Sequence, residues 1–343
     1  MNFFDRGVYL EQHKEPAISK KLRMAEGISF LPFDAEKLLT VKDEYIYKII
    51  EISKIRDEHT GELLLDIVNR ALRNKPQKLV INAVDDDPYT SSSSVPLIRL
   101  KEYAMFGAKL VAKTLGISKI SCAVNANVDQ DGSLFKIPDT ILGEDVKKID
   151  GKYPIATRLQ EHYREKIVAV GSCALINLAK TMVDGEISKA CFITVAGDCV
   201  EENANVVVTA GTQLKNLFEL CPLKKEPQKL ILGAMMTGRH VDTAEVGVDM
   251  STKTVVALSN YTVKTGLNCI GCGRCVMVCP QKLSPYYMYK SSKRGIEAPT
   301  LLKLAEKCTL CGCCSHVCPG TCNPTHYIRL LKNKSQSRKP KED

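Results

Sequence analysis

Apolar residues recur at helical spacing in two segments of the first half of the chain. The segment GELLLDIVNRALRNK (61–75) places leucine and isoleucine on one face of a predicted amphipathic helix. The segment IRLKEYAMFGAKLVAKTLG (98–116) has the same period, and Gly116 at its end is a typical helix stop. The pattern therefore predicts two helices that each bury one face.

Short apolar runs rich in β-branched residues alternate with these helices. KLVINAV (78–84) and KISCAVNAN (119–127) fit buried strands, and KIVAVGSCALINLAKTMVDG (166–185) fits a strand that runs directly into a helix. Strands alternating with helices predict a parallel α/β sheet over residues 61–186.

The pattern changes after residue 186. Several short strands and one helix are predicted between residues 187 and 260, which indicates a small β-rich module. Residues 1–60 give no clear pattern, because DEYIYKIIEISKI (43–55) fits a helix or a strand. The cysteine-rich segment 261–331 forms a further predicted domain, and residues 332–343 a basic, disordered tail.

Composition places the chain among globular proteins of two or three compact units. It has 343 residues, of which 44% are hydrophobic and 25% charged. The absence of tryptophan and an aromatic content of 6% argue against single-stranded nucleic acid as a ligand. The start lacks the apolar core of a signal peptide, and no apolar run approaches the ~20 residues of a membrane span. We expect a cytoplasmic protein, or a peripheral one on the cytoplasmic face of a membrane.

The net charge of +9 is concentrated in basic runs such as YKSSKRG (289–295) and the tail. Runs of this kind are most often solvated ends. The alternative is docking to an acidic electron carrier or an anionic membrane surface. Four cations near the cysteine motifs are candidates for orienting such a carrier: Lys282, Lys290, Lys293 and Arg294.

Ten of the fifteen cysteines lie in the last quarter of the chain. Clustered thiols in a reducing compartment indicate metal rather than disulfides. Eight of them form two sets with the pattern C-x2-C-x2-C-x3-C-P, which is typical of bacterial two-cluster ferredoxins. The sets are Cys269, Cys272, Cys275, Cys279 and Cys308, Cys311, Cys314, Cys318.

This spacing predicts two 4Fe-4S clusters with an exchanged fourth ligand. The first three cysteines of a set share one tight turn, and the fourth is expected to begin a helix that leads away to the other cluster. The first cluster is assigned to Cys269, Cys272, Cys275 and Cys318. The second is assigned to Cys308, Cys311, Cys314 and Cys279. A zinc ribbon, the alternative, would use two C-x2-C pairs for each metal.

The remaining cysteines have simpler explanations. Cys322 is interpreted as a spare thiol, and Cys313 as a small residue in a tight turn or a thiol that tunes a cluster potential. His316 is interpreted as a surface histidine. Five cysteines in apolar stretches are interpreted as small buried side chains: Cys122, Cys173, Cys191, Cys199 and Cys221.

Over residues 75–330, the order of these blocks resembles the C subunit of the Rnf electron-transport complex. The blocks are INAVDDDPYTSSSSVPL, VAVGSCALINLAKTMVDG, FITVAGDCVEENANVVVTAGTQLKNLFELC and LILGAMMTGRHV, followed by the two cysteine sets. That family is related to the flavin- and nucleotide-binding subunit of respiratory complex I. The resemblance implies a fold with an α/β parallel-sheet domain, a soluble-ligand-binding (SLBB) β-grasp module over 187–260, and an α-helical ferredoxin-type domain carrying two 4Fe-4S clusters.

The chain lacks the glycine-rich loop that carries flavin and nucleotide contacts in this family. HTGELLLDIVNRALRNKPQK (59–78) stands in its place, and Asp85, Asp86 and Asp87 keep the acidic block. FMN is therefore doubtful. The preferred function is an electron-transfer component that relays single electrons between a reduced carrier, such as ferredoxin or flavodoxin, and a partner reductase or electron-transport complex. The alternatives are an FMN-containing, NADH-oxidising oxidoreductase subunit and a redox-sensing binding module. Relatives of this family include the cobalamin reductase of diol-utilising compartments and an electron-transfer protein associated with proline reductase. The latter use, which feeds electrons to a soluble reductase, suits a chain that lacks the nucleotide loop.

Overall fold

The computed structural model describes residues 21–126, 137–151, 153–259 and 268–337. The predicted absence of a signal peptide falls mainly on residues outside these ranges, as does the end of the predicted tail. The chain divides into two compact units, Met1–Asn260 and Tyr261–Asp343. Within the described residues, no helix has both the length and the apolar character needed to cross a bilayer.

The larger unit contains two sheets and a layer of helices. Its strands are β1 (Leu22–Met24), β2 (Lys78–Ala83), β3 (Ile120–Asn125), β4 (Thr140–Ile141), β5 (Glu144–Ile149), β6 (Ile167–Gly171), β7 (Ala190–Ala196), β8 (Ala204–Thr209), β9 (Lys229–Leu232), β10 (Arg239–Val241) and β11 (Thr254–Leu258). Its helices are α1 (Ala35–Leu39), α2 (Asp43–Ser53), α3 (Leu64–Asn74), α4 (Ser94–Arg99), α5 (Lys101–Leu115), α6 (Ser172–Asp184) and α7 (Leu214–Leu220).

The first sheet has the order β4-β5-β3-β2-β6. All its neighbouring strands pair in parallel except β4, a short antiparallel strand at the edge. The parallel α/β sheet predicted from the sequence is confirmed, and so are the helices at 61–75 and 98–116. Gly116 ends α5 with a φ of 66°, in the left-handed region that glycine adopts without strain.

Helices α5 and α6 approach each other closely over the first sheet. Gly107 of α5 faces the backbone of Leu175 in α6, and a Cβ at position 107 would lie 2.1 Å from the Leu175 carbonyl oxygen. Only a residue without a side chain permits this approach. The segment 43–55, ambiguous in the sequence, forms helix α2, and its buried Ile46 and Ile50 belong to the same core.

The second sheet has the order β1-β8-β7-β11-β9-β10. Strand β1, from the region without a sequence assignment, pairs in parallel with β8 and extends the sheet at that edge. Phe192 of β7 and Val207 of β8 pack into the core that also contains α5 and α6. Residues 61–186 and 187–258 therefore lie in one compact unit, although most buried residues of the second sheet form a separate hydrophobic cluster.

The smaller unit is helical. Its helices are α8 (Arg274–Met277), α9 (Pro285–Lys293), α10 (Pro299–Glu306), α11 (Cys313–His316) and α12 (Pro324–Ser337). Its core is formed by the apolar residues Leu283, Met288, Leu302, Ala305, Ile328 and Leu331.

Two expectations for the smaller unit are wrong. The predicted disordered tail does not begin at 332, because α12 continues to Ser337 and its Ser335 hydroxyl donates to Glu306 at 2.6 Å. The fourth cysteine of each set does not begin a helix. Helices α9 and α12 start later, at Pro285 and Pro324. Proline is well suited to the first turn of a helix, because the N–H group that it lacks would have no partner within the helix there.

Candidate iron–sulfur site

The two cysteine-bearing turns have the same backbone conformation. Gly271 and Leu310, which occupy equivalent positions, have φ of 71° and 56°, and Gly273 and Gly312 have φ of 73° and 83°. Glycine adopts these angles freely, whereas Leu310 is strained by about 1–2 kcal/mol. The partly buried Leu310 side chain packs on the core of the smaller unit, which helps to offset this cost.

A short helix follows each turn and carries the third cysteine of the set. Cys275 lies on α8 and Cys314 on α11. Each left-handed glycine is the residue immediately before its helix, so the turn brings the first two cysteines towards the third. The sequence therefore builds the same three-thiol turn twice.

The first cavity, of about 390 Å³, is lined by three cysteines of the first set and one of the second. These are Cys269, Cys272, Cys275 and Cys318, and Cys322 lies beside them. Tyr286 and Tyr289 of α9 contribute to its wall.

The second cavity, of about 360 Å³, is lined by three cysteines of the second set and one of the first. These are Cys308, Cys311, Cys314 and Cys279, and Cys313 lies beside them. Leu283, Met288 and Ile328 contribute apolar walls. Both cavities thus combine the cysteines that the crossed assignment groups together.

The donor chemistry of each cavity fits a cubane cluster. Four thiols surround each space, and the surrounding residues are largely apolar, as iron–sulfur clusters require. Among the described residues, no three His, Cys, Asp or Glu side chains are grouped so that they could hold a metal ion. The four thiols of each cavity, three from one set and one from the other, instead line a space that suits a cluster rather than a single ion.

Backbone N–H groups donate to cysteine sulfurs at both cavities. Leu283 donates to Cys279 at 3.3 Å, and Cys322 donates to Cys318 at 3.5 Å, in the equivalent position of the other set. Such N–H···S bonds stabilise negative charge on sulfur and therefore raise the potential of a bound cluster.

The second cavity also has side-chain donors. The neighbouring Cys313 side chain is the main cause that lowers the pKa of Cys311, to about 6. The Lys332 ammonium donates to the Cys308 carbonyl oxygen at 2.6 Å. This role of Lys332 was not predicted, because its position in a basic run indicates a solvated tail.

The two cavities differ in exposure. Cys272 at the first cavity is exposed, whereas Cys314 at the second is buried, and so is the neighbouring Cys313. Burial is the main cause that raises the pKa of Cys308, and it raises that of Cys314 to about 12. The exposed His316 lines neither cavity, and the five cysteines of the larger unit are buried.

A separate polar cluster lies in the larger unit where strands β2 and β6 end. Asp57 accepts from the Gly171 N–H at 2.6 Å, and Glu58 accepts from the N–H groups of Cys173 at 2.9 Å and Ala174 at 3.2 Å. A Cβ at position 171 would lie 2.0 Å from a Glu58 carboxylate oxygen. The first N–H groups of α6 are therefore already bonded to the chain's own carboxylates.

The carboxylates of the acidic block 85–87 also accept hydrogen bonds from the chain itself. Asp85 accepts from the Ser94 N–H at 2.8 Å, Asp86 from the Ala156 N–H at 2.9 Å, and Asp87 from the Tyr153 hydroxyl at 3.0 Å. Burial is the main cause that raises the pKa values of Glu58 and Asp87. The pKa of Asp87 is raised to about 6.

These contacts do not fit a flavin phosphate. A phosphate needs free N–H donors at a helix N-terminus, and here buried carboxylates accept from those donors and would repel the anion. The sequence showed that the glycine loop is missing. The sequence did not show that the carboxylates of Asp57 and Glu58 accept hydrogen bonds from the N–H groups at the start of α6. The adjacent acidic residues in RDEH (56–59) were the available indication of such a role.

The smaller unit contains a 4Fe-4S ferredoxin-type domain. Residues 268–322 match the family described as "4Fe-4S dicluster domain". The chain resembles an NAD⁺-reducing [NiFe]-hydrogenase in its H₂-reduced state with a TM-score of 0.58 and 12% identity, over 98% of this chain and 71% of that one. This likeness concerns the fold alone.

The curated relatives are C subunits of ion-translocating oxidoreductase complexes, as the sequence resemblance indicated. The C subunit of the Na⁺-translocating ferredoxin:NAD⁺ oxidoreductase complex of Acetobacterium woodii is 25% identical over 64% of this chain and 53% of its own length. The C subunit of the ion-translocating oxidoreductase complex of Rhodobacter capsulatus is 28% identical over 61% and 44%. The chain is homologous to these Rnf-type C subunits and spans about half their length.

Proposed function

We propose that this protein is an iron–sulfur electron-transfer component that relays single electrons between a reduced carrier and a partner redox enzyme. The observation that carries the proposal is that each cavity gathers four thiols in the ligand pattern of a dicluster ferredoxin. Homology to the Rnf-type C subunits supports the same role.

In this proposal, Cys269, Cys272, Cys275 and Cys318 hold one 4Fe-4S cluster, and Cys308, Cys311, Cys314 and Cys279 hold the other. The bound clusters supply one-electron oxidation and reduction. The chain contributes thiolate ligands, N–H donors to sulfur and apolar walls that restrict water. No acid–base residue is needed, because no bond to a substrate is made or broken.

The larger unit acts as scaffold and docking surface in this proposal. Its segment from β7 to β11, with α7, is assigned to a β-grasp module. The partners are redox proteins of an Rnf-type complex or a soluble reductase, and the location is the cytoplasm or its membrane face. The NADH-oxidising alternative is less well supported, because the carboxylates at α6 disfavour a flavin phosphate.

Anaerobic reconstitution tests the proposal. Two cubanes predict about eight irons per chain and the EPR signals of reduced 4Fe-4S clusters after addition of dithionite. The Cys122→Ala variant is the matched control, because Cys122 is buried in β3 and should not change the iron content. Four irons, or bound zinc, would contradict the assignment.

A further inference from the structure

The net positive charge of the protein lies entirely in the iron–sulfur unit. Residues 1–260 contain 34 Lys and Arg and 35 Asp and Glu, whereas residues 261–343 contain 14 and 4. Eight ligand thiolates carry eight negative charges, and the positive iron–sulfide cores oppose part of these. The holo unit therefore keeps a positive surplus, and the single net negative charge of the larger unit does not balance it.

The acids of the smaller unit do not neutralise this surplus near the first cavity. Its described residues include two carboxylates, Glu297 and Glu306. Glu297 pairs with Lys334 of α12, and Glu306 accepts from Ser335 of the same helix.

Three cations surround the first cavity. Arg274 lines it. Lys290 lies with its Nζ 5.9 Å from the centre of the Tyr286 ring, and Lys293 lies 5.8 Å from that of Tyr289. Both rings are part of the cavity wall, so each lysine lies next to a residue that lines the cavity.

Exposed apolar side chains accompany these cations. Ile270, which lines the cavity, is 71% exposed, and Met277 of α8 is 70% exposed. Tyr287 is 64% exposed, and its ring lies 5.1 Å from that of Tyr286. Large apolar side chains that stay in water beside a redox centre are typical of a surface that a partner covers.

We propose that this surface docks a small acidic one-electron carrier protein. We name it the Ile270 face: Ile270, Arg274, Met277, Tyr287, Lys290 and Lys293. The proposal rests on the proposed function and adds the partner's charge and its docking position. Apolar contact provides affinity, and the cations steer a negatively charged protein to the cavity with the exposed Cys272. A lipid surface has the complementary charge but exchanges no electron at this position, so a carrier protein is the favoured occupant.

Binding of an acidic two-cluster ferredoxin to the reconstituted holo protein tests this docking. Calorimetry should give a dissociation constant that rises steeply with salt. Lys290→Glu should weaken binding by about tenfold at low salt, and Met277→Ser by about threefold. Lys303→Glu, the matched control on α10, makes the same change in net charge at an exposed lysine outside the Ile270 face and should change binding less than twofold.

Several outcomes would overturn the docking proposal. One is that Lys290→Glu and Lys303→Glu weaken ferredoxin binding equally. Another is a dissociation constant that does not change with salt. A third is that a holo protein which dithionite reduces normally binds no ferredoxin. The Ile270 face would instead be assigned to a membrane if the protein bound no ferredoxin but co-sedimented with phosphatidylserine-containing vesicles. This co-sedimentation would have to be lost in Lys290→Glu. Failure to load iron would contradict the proposed function itself, which separates the two failures.

Discussion

Cys279 lines the same cavity as Cys308, although the two cysteines belong to different sets of the duplicated motif. Cys318 has the reciprocal position beside the cysteines of the first set. A cluster in either cavity would therefore join both halves of the unit, so that its folding depends on cluster assembly.

Replacing Cys279 with alanine tests this exchange. The variant should lose or convert the cluster held by Cys308, Cys311 and Cys314, and it should keep the other. Iron analysis together with EPR of the reduced protein measures the outcome. Cys318→Ala is the matched variant and should damage the cluster held by the 269–275 turn. If each variant instead loses the cluster of its own turn, the crossed ligation is wrong.

Cys313 should tune the second cluster without holding it. Its side chain is the main cause that lowers the pKa of Cys311, and a thiol hydrogen bond to a ligand sulfur, worth about 1 kcal/mol, corresponds to about 40 mV for a one-electron couple. Cys313→Ala should keep both clusters and lower one potential by about that amount, because the reduced form loses a donor. Redox titration followed by EPR measures the shift. Cys322→Ala is the control at the other cavity, and a loss of iron from Cys313→Ala would make Cys313 a ligand.

The larger unit should lose stability as pH rises through the titration of Asp87. Desolvation is the main cause that raises its pKa from 3.8 to about 6, so the folded chain binds the proton more tightly than the unfolded chain. The stabilisation of the folded chain by protonated Asp87 is fully present below pH 4 and is lost as the pH rises through 6. It amounts to at most about 3 kcal/mol for this half-buried group.

The Asp87→Asn variant isolates this contribution. Its unfolding free energy, relative to that of the native chain, should rise between pH 4 and pH 6 and stay constant above pH 7. Urea unfolding followed by circular dichroism at several pH values gives the difference. A difference that does not depend on pH would show that Asp87 has an ordinary pKa.

Gly107→Ala should destabilise the larger unit by about 1–3 kcal/mol. The added methyl would meet the Leu175 backbone at 2.1 Å, and two packed helices cannot separate there without loss of core contacts. Thermal unfolding measures the change. Lys109→Ala, at an exposed position of the same helix, should stay within about 0.5 kcal/mol of the native value. Equal stability of the two variants would mean that α5 and α6 do not approach as described.

The parts of the molecule that follow from local pattern could be predicted from the sequence. Strand β2 and helix α5 have clear periods of apolar residues, and the cysteine spacing groups the thiols of each cavity. In these places the relevant interactions involve residues close in the chain, or a repeated motif whose geometry is general.

The parts that depend on distant partners could not be predicted. Helix α12 extends through a polar segment because Lys332 bonds to the Cys308 carbonyl oxygen and Ser335 to Glu306. Glu58 lies at the start of α6, far along the chain, and no local pattern places it there. Such contacts are decided by the fold rather than by propensity.

Strand β1 has a practical consequence for fragments of this protein. A fragment cut at residue 187 would lack Leu22–Met24, and the unpaired side of β8 would be open to another chain. Such edges invite aggregation, so the second sheet should be expressed only together with residues from the beginning of the chain.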